Sequence, residues 1–161
     1  MKEISIVSYS KPVHYQFLID STIDLQEIER SLSSTRRPGI DMAKDYLGEV
    51  LDNVEKNQGA IFVAEYQNKP IGFIACFIVQ DDDVIMTKEA NLYGYISDAY
   101  VSKEFRGEGI FARLEEKASV HLKNLGMKSV CINVVAANER AYKAYLKAGY
   151  KPEEIKLRKT L

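Results

Sequence analysis

The hydrophobic period of the sequence changes abruptly at the segment RGEG, positions 106–109. Before it, residues 92–101 have the character of a strand and are rich in tyrosine. After it, apolar residues recur every three or four positions and form one face of a helix: Ile110, Phe111, Leu114, Ala118, Leu122 and Leu125. Gly126 is a suitable residue to end that helix. The sequence therefore predicts a strand, a glycine-containing loop and a helix start in direct succession.

The other predicted elements do not alternate regularly along the chain. A short strand at 4–7 precedes a helix from Val13 into the twenties and a second helix from Ile40, and strands at 60–66 and 71–79 form an antiparallel hairpin. Beyond the central helix we expect a strand at 128–135, a helix at 138–148 and a last strand from Tyr150 that Pro152 interrupts. This order predicts a mixed α+β fold, and the absence of any linker-like tract predicts one domain over residues 1–161.

Composition excludes several classes of function. Hydrophobic residues make up 46% of the chain, charged residues 28%, and the formal net charge is -1, so no global basic field favours nucleic acid or an anionic membrane. No apolar run approaches the ~20 residues that span a bilayer, and the N-terminus lacks the apolar core of a secretion signal. Two cysteines without CxxC spacing indicate core positions in a reducing compartment, not a disulfide or a metal site. We expect a cytoplasmic protein, either alone or as a homodimer.

The loop at 106–109 has the chemistry of a phosphate site. Gly107 and Gly109 allow a sharp turn and leave no Cβ in the way of a ligand. The unpaired N–H groups of the first helical turn then point to one place, where the helix dipole adds positive charge, and Arg106 can add a charge-assisted contact. The pattern matches neither GxxxxGK[ST] nor a dinucleotide fingerprint. Taken alone, it is equally compatible with a plain glycine turn before a helix.

Two motifs together resemble the GNAT superfamily of acetyl-CoA-dependent N-acetyltransferases. The first is the family's (Q/R)xxGx(G/A) loop after a strand, which here is matched by Arg106, Gly109 and the strand end 99–101. The second lies one strand later: an Asn, a Tyr seven residues on, and Gly followed by an aromatic residue, which here is NERAYKAYLKAGY at 138–150. The resemblance is at the level of residues from about 95 to 150 and only architectural upstream.

The resemblance implies a mostly antiparallel central sheet that splays open for the cofactor and is flanked by helices. In the family, the pantetheine arm of acetyl-CoA pairs with the exposed backbone of the strand, and main-chain amides of the loop and first helical turn hold the pyrophosphate. Asn138 would contact the pantetheine region, and Tyr145 would protonate the departing thiolate. Carried onto this chain, the main-chain contacts fall on Ala99, Tyr100 and Val101 for the arm and on Gly107, Glu108, Gly109, Ile110, Phe111 and Ala112 for the pyrophosphate.

Phe111 departs from the family pattern, because this last loop position is normally Gly or Ala. Its backbone N–H is retained, so we expect the bulky side chain to point away from the phosphates, toward the core. Tyr145 and Asn138 also have simpler roles open to them: an amphipathic core tyrosine and a helix cap, respectively.

The general base is less clearly marked than the rest of the site. Some peptide N-terminal acetyltransferases of the family use a Glu five residues before the Asn, and that position is Asn133 here, which cannot act as a base. Asp98 is the nearest carboxylate in the motif and is our candidate, with Tyr95 as a polar neighbour. A solvated or bulge-stabilising carboxylate, with an ordered water as the base, is the alternative.

The sequence thus predicts an N-acetyltransferase that uses acetyl-CoA and no metal, with direct attack of a primary amine and no covalent enzyme intermediate. The alternative is a non-catalytic acyl-CoA-binding regulatory module. Three adjacent carboxylates, Asp81, Asp82 and Asp83, suggest a cationic small molecule as the acceptor, although a solvated turn has the same composition. Aminoglycosides, polyamines, amino acids and peptide N-termini are all compatible acceptors.

Overall fold

The computed structural model of the chain describes residues 3–161; the first two residues of the N-terminal stretch considered above lie outside it. In chain order the main elements are β1 (Ile4–Ser8), α1 (Lys11–Leu32), α2 (Ala43–Lys56), β2 (Ala60–Tyr66), β3 (Lys69–Gln80), β4 (Leu92–Val101), α3 (Ile110–Asn124), β5 (Val130–Ile132) and α4 (Glu139–Lys147). Two short 3-10 helices, Gly39–Asp41 and Lys103–Phe105, precede α2 and α3.

The strands form one sheet in the order β1-β2-β3-β4-β5. The first four strands pair antiparallel with their neighbours, and β5 pairs parallel with β4 after the crossover through α3. The predicted mixed α+β architecture with a mostly antiparallel sheet is therefore confirmed. The predicted hairpin is also present as β2 and β3, with Gln67 and Asn68 at its turn in the left-handed region that such tight turns require.

Helices cover both faces of the sheet. On one face the predicted apolar stripe of α3 is buried at Ile110, Leu114, Ala118 and Leu122, whereas Phe111 and Leu125 are only partly buried. On the other face α1 and α2 pack through Leu18 and Leu47 against residues of β2, β3 and β4. Since a sheet buried on both faces needs apolar residues at successive positions, the continuous apolar run of β3 fits this central place.

A bulge in β4 decides which face its side chains occupy. In the register with β3, Ser97 is an extra residue between the pairs Asp98–Ala75 and Ile96–Cys76. One extra residue shifts the alternation of side chains by one position, so Asp98 points to the face that α1 and α2 cover. Without the bulge its carboxylate would face the apolar stripe of α3.

The C-terminal part of the chain differs from the expectation in two ways. The strand expected at 128–135 pairs only over Val130–Ile132. The expected last strand from Tyr150 is wrong: residues 150–161 form no strand, and Ile155 and Leu157 are exposed. Pro152 cannot donate a ladder hydrogen bond, and the three residues of β5 offer only a short edge to pair with.

Candidate active site

The sheet opens between β4 and β5. Their parallel pairing joins only Gly94–Ile96 to Val130–Ile132, after which the chain leaves β5 for α4. Residues 97–101 of β4 therefore have β3 on one side and no strand on the other. This part of β4 offers unpaired main-chain groups to an extended ligand in the way that a sheet edge does.

Two of the three residues expected to contact the pantetheine arm turn their main chain to this opening. The N–H of Ser102 donates to the carbonyl of Ile71 at 2.8 Å, so alternate residues along β4 direct their backbone groups to β3. By this alternation Ala99 and Val101 face the opening. The backbone groups of Tyr100 point to β3 instead.

The loop before α3 has the backbone that its glycines predicted. Gly107 and Gly109 have φ of 86° and 75°, and a Cβ added at either would meet nothing within 4 Å. Gly109 caps α3 without a side-chain hydrogen bond, and the first-turn amides of Ile110, Phe111 and Ala112 have no acceptor in residues 3–161. Open space beside uncapped amides fits the diphosphate of a coenzyme A molecule.

Arg106 is held in place by the strand it follows. Its Nε donates to the carbonyl of Val101 at 2.8 Å, and its guanidinium lies 5.9 Å from the ring centre of Tyr100. A guanidinium has five N–H donors, so the two terminal nitrogens remain for an anion. The side chain therefore both closes the end of β4 and presents charge beside the loop.

Phe111 and Tyr145 lie against each other on the inner side of the loop. Their ring centres are 5.5 Å apart, so the side chain of Phe111 points to α4 and leaves its amide free. Tyr150 lies on Tyr145 at 6.1 Å between ring centres. The hydroxyl of Tyr145 has no hydrogen-bond partner in the described chain, and burial raises the pKa of Tyr145 to about 12. Its proton is therefore retained at neutral pH and is available to donate.

Asn138 caps α4. Its side-chain oxygen accepts from the N–H of Ala141 at 3.2 Å. This is the simpler role considered for it, but the cap uses only the oxygen. The side-chain NH₂ group has two further donors, and Asn138 lines a cleft together with Arg106.

Asp98 is bound by a residue that the sequence did not suggest. The hydroxyl of Tyr46, on α2, donates to both carboxylate oxygens of Asp98 at 3.1 Å. Burial raises the pKa of Asp98 to about 6, although hydrogen bonds to the carboxylate lower it in part. A carboxylate with this pKa is mostly ionised at pH 7 and can still take up a proton. Tyr95, one pleat earlier on the same face, accepts a hydrogen bond from Asn133 at 3.2 Å.

The helices α1 and α2 supply further polar side chains that the sequence motifs did not indicate. The hydroxyl of Tyr100 donates to Asp24 of α1 at 2.8 Å, which fixes α1 over the end of β4. Tyr46 lies on the same helical face as Ala43, Leu47 and Val50. The periodicity of α2 therefore indicates that this tyrosine faces the sheet, and it was the available signal for a polar group there. No group of three or more metal-ligating side chains occurs in residues 3–161, and no helix there is long and apolar enough to cross a membrane.

The sequence is similar to that of known proteins. The profile of the acetyltransferase (GNAT) family matches residues 24–150. The chain belongs to this family. An uncharacterized N-acetyltransferase of Methanocaldococcus jannaschii is 30% identical over 102 residues, which are 63% of this chain and 43% of that relative. The chain thus spans less than half the length of this curated relative.

Solved structures share the fold at low sequence identity. A protein of Bacillus halodurans superposes with a TM-score of 0.83 at 17% identity, covering 98% of this chain and 99% of that one. An aminoglycoside N-acetyltransferase solved in complex with CoA gives a TM-score of 0.72 at 16% identity, covering 99% and 96%. Identities this low establish the common fold alone.

Proposed function

We propose that this GNAT protein transfers the acetyl group of acetyl-CoA to a primary amine by direct attack in a ternary complex. The observation that carries the proposal is the opening beside residues 97–101, which has uncapped amides of α3 at one end, together with Tyr145, which contacts Phe111 of α3 and interacts electrostatically with Asp98 of β4. Bound acetyl-CoA would supply the activated thioester. Ala99 and Val101 would hold its arm, and Asn138 would orient it through the side-chain amide.

The protein's part in the reaction is to move two protons. The attacking amine is neutral, and as its nitrogen forms the new C–N bond and the C–S bond breaks, the nitrogen must lose a proton. Asp98, kept ionised with the help of Tyr46, accepts that proton directly or through one water. The departing sulfur takes a proton from the hydroxyl of Tyr145, so no charge is left on either product.

The cysteines favour direct transfer over a covalent enzyme intermediate. Cys76 is fully buried, and burial raises its pKa to about 11, so almost no thiolate forms at neutral pH. Cys131 is partly buried, and burial raises its pKa as well. An acyl-enzyme would need a reactive thiolate at the opening.

Acetyl-CoA consumption with a panel of aminoglycosides, polyamines, amino acids and peptides tests the activity. We expect a mass gain of one acetyl group on an amine, and intersecting initial-velocity lines when both substrates are varied. Parallel lines would contradict direct transfer. Tight acetyl-CoA binding without turnover of any amine would instead favour a non-catalytic acyl-CoA-binding module.

The pH dependence tests Asp98 as the base. The reaction needs a deprotonated Asp98 and a neutral amine. Below about pH 6 the fractions of both forms rise with pH, so log(kcat/KM) should rise with a slope of two. Above pH 6 only the fraction of neutral amine still rises, and the slope should fall to one. Asp98→Asn should show a slope of one throughout, with a rate lower by about 100-fold or more.

Tyr46→Phe is the companion variant for this profile. Its hydroxyl stabilises the ionised carboxylate of Asp98, so removing it should raise the pKa of that carboxyl and move the break in slope to higher pH. If the break stays in place in Tyr46→Phe, or persists in Asp98→Asn, another group is titrating and water is the base.

We also propose a cationic acceptor, because of the exposed carboxylates that follow β3. Asp81 accepts a hydrogen bond from the hydroxyl of Tyr93 at 2.8 Å, which fixes the start of this loop beside β4, and Asp82 and Asp83 are exposed. Such a cluster attracts a protonated amine over a Debye length of about 8–10 Å.

Changing Asp81, Asp82 and Asp83 together to Asn should therefore flatten the fall of kcat/KM with ionic strength. A matched control changes three exposed acids of α2, Glu49, Asp52 and Glu55, to their amides, which removes the same charge elsewhere. Equal salt dependence of the wild type and the loop variant, or equal flattening in both variants, would contradict a specific role for this loop.

A further inference from the structure

Arg140, in the first turn of α4, and Arg106, which precedes the glycine loop, line the same cleft. The cleft has a volume of about 360 Å³. Ile28 and Leu32 of α1 are its apolar lining residues, and Ala137, Asn138 and Glu139 complete the lining. The cleft thus joins the residue before the glycine loop to the start of α4.

Neither arginine is in an ion pair. Across residues 3–161 neither guanidinium forms one with a carboxylate; Glu139, which also lines the cleft, pairs with Lys143 at 3.2 Å. Arg106 binds only a backbone carbonyl and lies on a ring. Burial and, secondarily, the charge of Arg106 lower the pKa of Arg140. Two like charges facing one cleft repel each other unless an anion lies between them.

We propose that Arg140 is a coenzyme-binding residue that contacts the diphosphate of acetyl-CoA from the side opposite the glycine loop. The inference rests on the proposed function, since it assigns a further residue to the same site. The family motif does not include this position, which lies two residues after Asn138.

The charge of the ligand explains why two sides are needed. The amides of α3 contribute only the partial charge of one helix end, about half an elementary charge, whereas a diphosphate diester carries two negative charges. Arg106 adds one full charge on the loop side, and Arg140 adds a second across the cleft. A guanidinium there can also donate two parallel N–H bonds to phosphate oxygens, which an ammonium cannot.

Direct binding measured by calorimetry tests this without relying on turnover. We expect Arg140→Gln to weaken the binding of both CoA and dephospho-CoA about 10- to 100-fold, as loss of a charge-assisted contact does, and to leave the much weaker binding of pantetheine unchanged. Arg140→Lys should recover part of the loss, because it restores charge without the paired geometry.

Lys143→Gln is the matched control, because it removes the same charge one turn further along α4. Equal affinity loss in Arg140→Gln and Lys143→Gln would reduce the effect to a general field and overturn the assignment. A loss seen with CoA but not with dephospho-CoA would place Arg140 at the 3′-phosphate and also overturn it. Unchanged CoA affinity in Arg140→Gln would do the same. If the wild type itself binds no CoA, the proposed function fails, which is a separate outcome.

Discussion

Gly109→Asp is expected to raise the Kd for acetyl-CoA by about 100-fold or more, because a carboxylate would occupy the place of a phosphate at the start of α3. No protein atom lies within 4 Å of the Cβ position, so the new side chain has room in the space that the phosphate would occupy. The cost to folding should be small, since Asp tolerates the left-handed region better than most residues. Calorimetry on the folded variant measures the effect.

Two further variants separate charge from backbone strain. Gly109→Asn has nearly the same shape and the same φ of 75° but no charge, so it should weaken binding far less. Gly126→Asp places the same carboxylate at the other end of α3, where φ is 88° and space is also open, and it should bind acetyl-CoA like the wild type. Equal affinities for Gly109→Asp and Gly109→Asn would show that conformation, not phosphate repulsion, is responsible.

Tyr145→Phe is expected to lower kcat by about 10- to 1000-fold, which overlaps the lower part of the usual contribution of a general acid, with little change in the Kd for acetyl-CoA. The ring would keep its contacts with Phe111 and Tyr150, and the hydroxyl it loses has no hydrogen-bond partner in the described part of the chain. Thermal stability should therefore stay close to that of the wild type. Steady-state kinetics and a melting curve on the same preparation provide the measurement.

Tyr142→Phe is the matched control, because this tyrosine lies on the same helix and is exposed. It should leave kcat unchanged. An unchanged kcat in Tyr145→Phe would mean that water protonates the thiolate and that the tyrosine is structural. A large loss of thermal stability would instead show that the hydroxyl matters for folding.

Hydrophobic periodicity was sufficient to predict the buried face of a helix. The stripe of α3 at Leu114, Ala118 and Leu122 is buried as predicted, because a helical face needs no knowledge of its partner. Strand ends were less predictable. The run at 128–135 is mostly apolar, yet only Val130–Ile132 pair, since a strand extends only as far as its neighbour lies beside it. Pro152 was noted as an interruption, and the strand around it is absent altogether.

The loop and α4 could be located from the sequence because their motifs are contiguous. The surroundings of Asp98 could not, because its contact with Tyr46 joins residues 52 positions apart and carries no local pattern. Its orientation depends on the extra residue Ser97, and a bulge becomes visible only when the register with β3 is known. Arg140 is at a position that the second motif does not specify, and its place in one cleft with Arg106 depends on the fold.

The length of β5 determines how much of β4 is left unpaired. Each paired residue closes about 3.3 Å of the gap beside β4, so the five residues 97–101 leave a slot of roughly 17 Å between the last parallel pair and the glycine loop. Extending the parallel pairing by two residues would shorten that slot by about 7 Å while leaving every motif residue in place. The residue at which β5 ends would thus determine how far a linear thioester arm can extend beside β4. The motifs of binding residues do not specify that residue.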